Sequence, residues 1–157
     1  DDLQQDPGAA HMGSLEYNSG TYYRYISLDL GQLWENLGGC EEDIKKAIDV
    51  FVKALYIAVP SARQNTQSGS CLWDYDSIIV RRGQRMQLSF DAPVRSCGKG
   101  WLAPSIEALN KALDRNEKLS GSLYGKIADV TFGDENSMSI DELCKKIVDA
   151  VPTAEQL

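Results

Sequence analysis

The sequence predicts an α+β domain, an antiparallel sheet with helices on one face. Three stretches repeat apolar residues at helical spacing and predict helices, at residues 44–56, 106–113 and 140–151. Four shorter stretches are rich in β-forming residues or alternate apolar with polar side chains, and they predict strands at residues 21–30, 77–82, 84–90 and 127–132. A chain of 157 residues has the length of one domain and can bury about two-thirds of its unfolded surface.

The first strand and the first helix are joined by a short connection. We predict the strand over Thr21–Leu30, where β-forming residues dominate and apolar side chains alternate with polar ones toward the end. Gly38 and Gly39 end the connection. The helix then begins at Glu41, where three acidic residues match the positive end of the helix dipole, and Pro60 closes it.

The middle of the chain predicts a hairpin followed by a helix. Ser77–Arg82 and Gln84–Phe90 are two strand-like segments joined at Gly83, which allows a tight turn between them. We therefore expect these two strands to pair with each other. The next helix begins near Pro104 and carries apolar residues at helical spacing as far as Leu113.

The last two predicted elements are a strand over Ile127–Phe132 and a helix that continues to Val151. Ser139 is followed three residues later by Glu142, the spacing of a capping box at the start of a helix. The resulting order is strand, helix, strand, strand, helix, strand, helix. It favours an antiparallel sheet covered by helices, of the ferredoxin-like or RNA-recognition class.

The acidic balance of the chain limits the classes of function. With 16 basic and 23 acidic residues, the formal net charge is −7 at pH 7. This charge argues against a free-standing, non-specific nucleic-acid binder, because such binding depends on cations that displace counterions from phosphates. An alternative is an acidic protein-interaction module that docks onto a basic partner and does not contact RNA.

The cysteines and the hydropathy pattern bear on the compartment. Four cysteines lie far apart without a zinc or redox motif and indicate free thiols in a reducing compartment: Cys40, Cys71, Cys97 and Cys144. We expect Cys144 in the core and Cys97 at the surface. No apolar run approaches the roughly 18 residues of a membrane span, and no leader pattern is present, so we expect a cytoplasmic protein without membrane contact.

Groups for catalysis or metal binding are sparse. His11 is the single histidine and lies in a polar, glycine-bearing segment, which disfavours a thiol or hydrolytic enzyme that would pair it with Cys97 or a serine. The acidic and amide residues at 134–136, near Asp141 and Glu142, lack the spacing of an EF-hand. They indicate a solvated loop and a helix cap. We expect no catalytic residue, no cofactor and no metal.

The segment Ala58–Gln67 is the best candidate for a working surface. Pro60 ends the preceding helix, and donor-rich side chains then follow in succession: Arg63, Gln64, Asn65, Thr66 and Gln67. Such donors suit a phosphate or nucleotide backbone better than a hydrophobic partner. A solvated loop without a ligand is the alternative.

Two groups of aromatic residues, one before the first helix and one after the polar loop, each allow two interpretations. Tyr22, Tyr23 and Tyr25 surround Arg24, and the rings either stack on bases or belong to a strand with one solvated face. Arg24 itself has either an RNA-contacting or a structural role. Two further aromatic residues follow the polar loop and either line RNA or pack the loop down: Trp73 and Tyr75.

Arg81, Arg82 and Arg85 form the densest basic patch of the sequence. Such a patch contacts phosphate in some proteins and in others protects an exposed hairpin from pairing with another strand. Both interpretations remain open from the sequence.

The order and spacing of several segments together resemble the C-terminal half of the CasC family, the repeated backbone subunit of the type I-E CRISPR Cascade. The segments that carry the resemblance are DDLQQDPGAAHMGS at the start, YNSG and YYRY, LWENLGG, VPSARQNT, and APSIEALN. They extend over nearly the whole chain. No single segment is a decisive motif, but their succession is specific.

The resemblance implies a fold, partners and site residues. It implies residues 1–20 as the returning arm of a thumb, and residues 21–157 as the C-terminal part of an RNA-recognition-type palm that is incomplete without an N-terminal half. It implies a non-catalytic subunit that binds CRISPR RNA, meets target DNA through that RNA, and contacts neighbouring copies and other Cascade subunits. The RNA-binding residues implied are Arg63, Gln64, Asn65, Thr66, His11 and Arg24.

Overall fold

The computed structural model describes residues 20–58, 72–89, 92–96, 98, 100–133 and 138–152. Its elements follow one another as α1 (Leu30–Asn36), α2 (Glu41–Ile57), β1 (Asp76–Arg81), α3 (Leu102–Ser120), a 3-10 turn (Gly121–Tyr124), β2 (Lys126–Phe132) and α4 (Ile140–Asp149). In these residues the fold is α+β, with a two-stranded antiparallel sheet and helices, which confirms the predicted fold class.

The helices α2 and α4 form most of the core. α2 buries Ile44, Ile48 and Val52 at helical spacing, as its apolar pattern predicts. α4 starts with the predicted capping box and buries its own apolar stripe against α2: Leu143, Cys144 and Ile147. No helix in the described ranges is both long enough and apolar enough to cross a membrane.

The sheet places different side chains on its two faces. The register pairs Asp76 with Phe132, Ile78 with Val130 and Val80 with Ala128. Phe132 belongs to the core with α2 and α4, and Ile78 and Val130 pack against it, so these helices cover this face. On the opposite face, side chains of β1 and β2 line a cleft together with side chains of α3.

The two cysteines among the described residues are free thiols, as predicted. Cys40 is an exposed free thiol and Cys144 is a buried one. Burial raises the pKa of the Cys144 thiol, which suits a core residue and not a nucleophile. Cys71 and Cys97 lie outside the described residues.

The prediction of a strand over Thr21–Leu30 is wrong. Residues 20–29 have no regular secondary structure, and Leu30 is the first residue of α1. The side chain of Asp29 accepts a hydrogen bond from the backbone N–H of Gln32 at 3.0 Å, so it caps α1. This cap explains why a helix begins at Leu30, where the alternating pattern predicted the end of a strand.

The predicted hairpin at Gly83 is also wrong. β1 pairs with β2, and residues 82–84 bend while residues 85–89 have no regular secondary structure. Leu88 is nevertheless only 8% exposed between the exposed Gln87 and Ser89. The alternating pattern in this segment thus reflects burial of alternate side chains without hydrogen bonding to a neighbouring strand in the described ranges. Phe90, the last residue of the predicted strand, lies outside the described residues.

Candidate nucleic-acid interface

Arg24 is the predicted site residue that the structure describes. The other five lie outside the described residues: His11, Arg63, Gln64, Asn65 and Thr66. The structure therefore shows the candidate RNA-binding surface only at Arg24 and at the described residues before and after the polar loop.

Arg24 contacts the end of the helix that leads into this loop. Its Nη1 donates a hydrogen bond to the backbone oxygen of Ala58 at 3.4 Å. Ala58 is the C-cap of α2, which has no basic residue in its last turn. Because the carbonyl groups at a helix C-terminus carry partial negative charge, a guanidinium at this position stabilises the helix end.

This contact brings Arg24 close to the start of the polar loop in space. Arg63 follows Ala58 by five residues, and five residues of extended chain span at most about 18 Å. Arg24 therefore contacts the chain at a point from which Arg63 can be no farther than this distance. The sequence carries no signal for this proximity, because the two contacting residues are 34 positions apart.

The tyrosines around Arg24 differ in exposure. Tyr22 is 82% exposed and Tyr23 44% exposed, whereas Tyr25 is half-buried. Partial burial, and then the nearby Tyr25, raise the pKa of Tyr23. Tyr22 is the ring that is most available to a ligand on this segment.

Trp73 and Tyr75 pack against other elements. The ring of Trp73 meets that of Tyr56 edge-on with centroids 5.4 Å apart, and Tyr56 in turn meets Phe132 at 5.9 Å. The hydroxyl of Tyr75 donates to Oδ1 of Asn110 on α3 at 3.0 Å. These contacts support the interpretation that both residues hold the chain in place before β1.

The basic patch divides into one internal and two external arginines. Arg81 donates from Nε to the backbone oxygen of Tyr124 at 2.9 Å, and its guanidinium lies 5.1 Å from the centroid of the Tyr124 ring. The backbone N–H of Arg82 donates a hydrogen bond to the backbone oxygen of Gly125 at 2.8 Å, just before β2. The side chains of Arg82 and Arg85 are exposed and remain available to a ligand.

A cleft of about 350 Å³ between the sheet and α3 is a further feature, and sequence reasoning missed it. Its charged lining consists of Asp114, Glu117, Asp129 and Lys126. Lys126 is bound to Glu117 at 2.6 Å, so its charge is already compensated. An excess of carboxylates repels phosphate, which makes this cleft unsuitable for an RNA backbone.

The carboxylates considered for metal binding are engaged in the fold where the structure describes them. Asp141 pairs with Lys53 at 3.1 Å, and Glu142 accepts a hydrogen bond from the backbone N–H of Ser139 at 2.8 Å. No group of three or more metal-ligating side chains occurs among the described residues. Residues 134–136 lie outside them.

Comparison with known protein families gives one match over almost the full chain. The family model described as CT1975-like protein, Cas_CT1975, matches residues 1–155. No curated protein matches the chain.

Proposed function

The chain belongs to the CT1975-like family of CRISPR-associated proteins, and from this premise we propose that it is a CRISPR RNA-binding backbone subunit of a type I-E Cascade complex. The proposed subunit has no catalytic activity of its own. Its partners are CRISPR RNA, the target DNA that pairs with it, neighbouring copies of the subunit and other Cascade subunits.

The observation that carries this proposal is the position of Arg24 at the C-terminus of α2. The contact with Ala58 places a guanidinium beside the segment that continues into Arg63, Gln64, Asn65 and Thr66. A succession of donors that follows this contact in the chain suits the backbone of a nucleic acid. We include His11 in the proposed RNA-binding set because of the resemblance to the CasC family.

The proposed mechanism is binding without base readout. The subunit holds the guide backbone, and the bases remain free to pair with target DNA, so that base pairing supplies the specificity. We propose residues 1–20 as the thumb arm and residues 21–157 as the C-terminal part of the palm, which an N-terminal half completes.

Replacement of Arg63 with Ala tests the proposal. We expect the variant to bind guide RNA roughly tenfold more weakly, because one charged hydrogen bond to phosphate is lost. The loss is expected to be equal for guides of different sequence, since phosphate contacts position the strand without reading it. Arg115→Ala, at an exposed position of α3, is the matched control. A loss confined to some guide sequences, or an equal loss in the control, contradicts the proposal.

A second candidate function is an acidic module that docks onto a basic protein. The cleft beside α3 favours it, because three carboxylates and one already paired lysine line that cleft. A gel shift with labelled CRISPR RNA separates the two functions when it is run with and without an added N-terminal half of the subunit. A shift in either condition supports RNA binding, and its absence in both favours the docking module.

A further inference from the structure

The segment before α1 exposes one aromatic ring far more than its neighbours. Tyr22 is 82% exposed, while Tyr23 is 44% exposed and Tyr25 is half-buried. The sequence allowed two interpretations of these rings, a strand with one solvated face or a surface that stacks on bases. The first depended on a strand over residues 21–30, and residues 20–29 form none.

The same segment also carries the charge of Arg24, two residues after Tyr22 in the chain. Arg24 contacts the backbone oxygen of Ala58, which carries only a partial negative charge, and none of the carboxylates that the structure describes lies within ion-pair distance of it. A guanidinium without a carboxylate partner retains its attraction for phosphate. The same contact ties the Arg24 side chain to the end of α2, and Tyr22 precedes Arg24 by two residues in the chain.

We propose that Tyr22 is a stacking platform for one base of single-stranded RNA, while Arg24 attracts the adjacent phosphate. This inference rests on the proposed function and adds the mode of contact and the class of ligand. An exposed phenol ring stacks on any base, because every base has a π-face, so the platform tolerates all sequences. It selects single strands, since the faces of paired bases are covered by their neighbours in a duplex.

The test compares RNA with a strand that has no bases. The full chain is titrated with an oligouridylate of about 12 nucleotides, with a matched abasic ribose-phosphate strand, and with a duplex RNA of the same length. The variants are Tyr22→Ala, Tyr22→Phe and Leu123→Ala. Leu123 is also 82% exposed and lies in the 3-10 turn, so its loss controls for removal of an exposed apolar side chain. Circular dichroism confirms that each variant is folded.

We expect Tyr22→Ala to weaken oligouridylate binding roughly 5- to 150-fold, and Tyr22→Phe and Leu123→Ala to change it less than about twofold. The abasic strand and the duplex are expected to bind Tyr22→Ala and the unmodified chain equally. An equal loss on the abasic strand, or no loss on oligouridylate, overturns the stacking role and leaves RNA binding by the chain intact. If the unmodified chain binds none of the three strands, the stacking role fails, while the gel shift with the added N-terminal half decides the proposed function separately.

Discussion

Arg81 is the residue of the basic patch that stabilises the fold. Its guanidinium is held by the backbone oxygen of Tyr124 and lies against the Tyr124 ring. Nη1 is buried and has no hydrogen-bond partner among the described residues, which offsets part of the gain, because a buried donor has lost its contact with water. Residues of the same type at adjacent positions therefore have different roles, and the sequence does not distinguish them.

Replacement of Arg81 with Ala is expected to lower the free energy of unfolding by about 1–3 kcal/mol, because a hydrogen bond, a cation–π contact and packing of the side chain are all lost. Arg82→Ala is the matched control, since the Arg82 side chain is exposed and its backbone bond to Gly125 is retained. We expect a change below about 0.5 kcal/mol there. Urea unfolding measures both, and equal losses would contradict the assignment.

Gly125 occupies a position where both backbone angle and space require glycine. Its φ is +62°, and a Cβ would lie 2.5 Å from the backbone oxygen of Arg82. Gly125→Ala is therefore expected to cost about 1–2 kcal/mol for the angle and about 1–3 kcal/mol more for the close approach. Gly38 has a φ of +67° with open space around it, so Gly38→Ala is expected to lose only the stability that the backbone angle costs. Equal losses in urea unfolding would argue against the steric contribution.

Among the elements, α4 joins a local cap to a long-range contact. The Ser139 and Glu142 side chains satisfy backbone N–H groups at its start, while Leu143, Cys144 and Ile147 pack against α2. Lys53 of α2 bridges Asp49 at 3.0 Å and Asp141 of α4 at 3.1 Å. The cap sets where α4 begins, and burial sets where it lies.

The capping box predicts a dependence of stability on pH. Hydrogen bonds from the backbone and side chain of Ser139 lower the pKa of Glu142 below its ordinary value of 4.5. A carboxylate with a lowered pKa stabilises the folded chain at pH values above that of the unfolded state, and this stabilisation is lost as the pH falls through the folded-state pKa.

We therefore expect the unmodified chain to lose more stability between roughly pH 6 and pH 3 than Glu142→Gln, whose amide keeps an acceptor but does not titrate. Urea midpoints at a series of pH values measure the difference between the two proteins. Parallel curves would show that the ionised carboxylate contributes nothing through this cap.

The elements predicted correctly are those that depend on local signals. α2, α3 and α4 follow from apolar spacing, and the start of α4 also follows from its capping box. β1 and β2 are also found where they were predicted, but the partner of β1 was not predicted, because Arg81 pairs with Lys126 across a long stretch of chain. α1 was missed although Asp29 and the glycines after Leu37 are ordinary signals for a helix start and end.

Of the candidate RNA-binding surface, only the types of residue could be predicted from the sequence, and their arrangement in space could not. The donors after Pro60 can be read from the sequence, but the contact between Arg24 and Ala58 depends on tertiary packing. The exposure of Tyr22 depends on the absence of a strand in residues 20–29. Neither feature has a short-range signal.

At the scale of the whole molecule, charge limits how tightly the chain alone holds RNA. The net charge is −7, and we assign few cations to contact with RNA: Arg24, Arg63, Arg82 and Arg85. Counterion release grows with the number of phosphates neutralised, so the gain in affinity is small. The proposed neighbouring copies and N-terminal half would supply further cations and avidity.

We expect the isolated chain to bind CRISPR RNA with a Kd in the micromolar range or weaker at physiological salt. With about two to four phosphates neutralised, an approximately fourfold rise in salt is expected to weaken binding roughly 10- to 50-fold. Fluorescence anisotropy at two or more salt concentrations measures both quantities. Tight binding that does not respond to salt would exclude a binding mode based on these few cations.

The core has a consequence for the synthesis of the protein. Cys144 of α4 and Asp49 of α2 are in contact although they lie 95 positions apart in the chain. At roughly 5–20 residues per second, a ribosome needs about 5–20 s to add the intervening segment. During that interval the apolar stripe of α2, with Ile44, Ile48 and Val52, lacks the helix that covers it. The nascent chain therefore completes this core only after α4 has left the ribosomal tunnel.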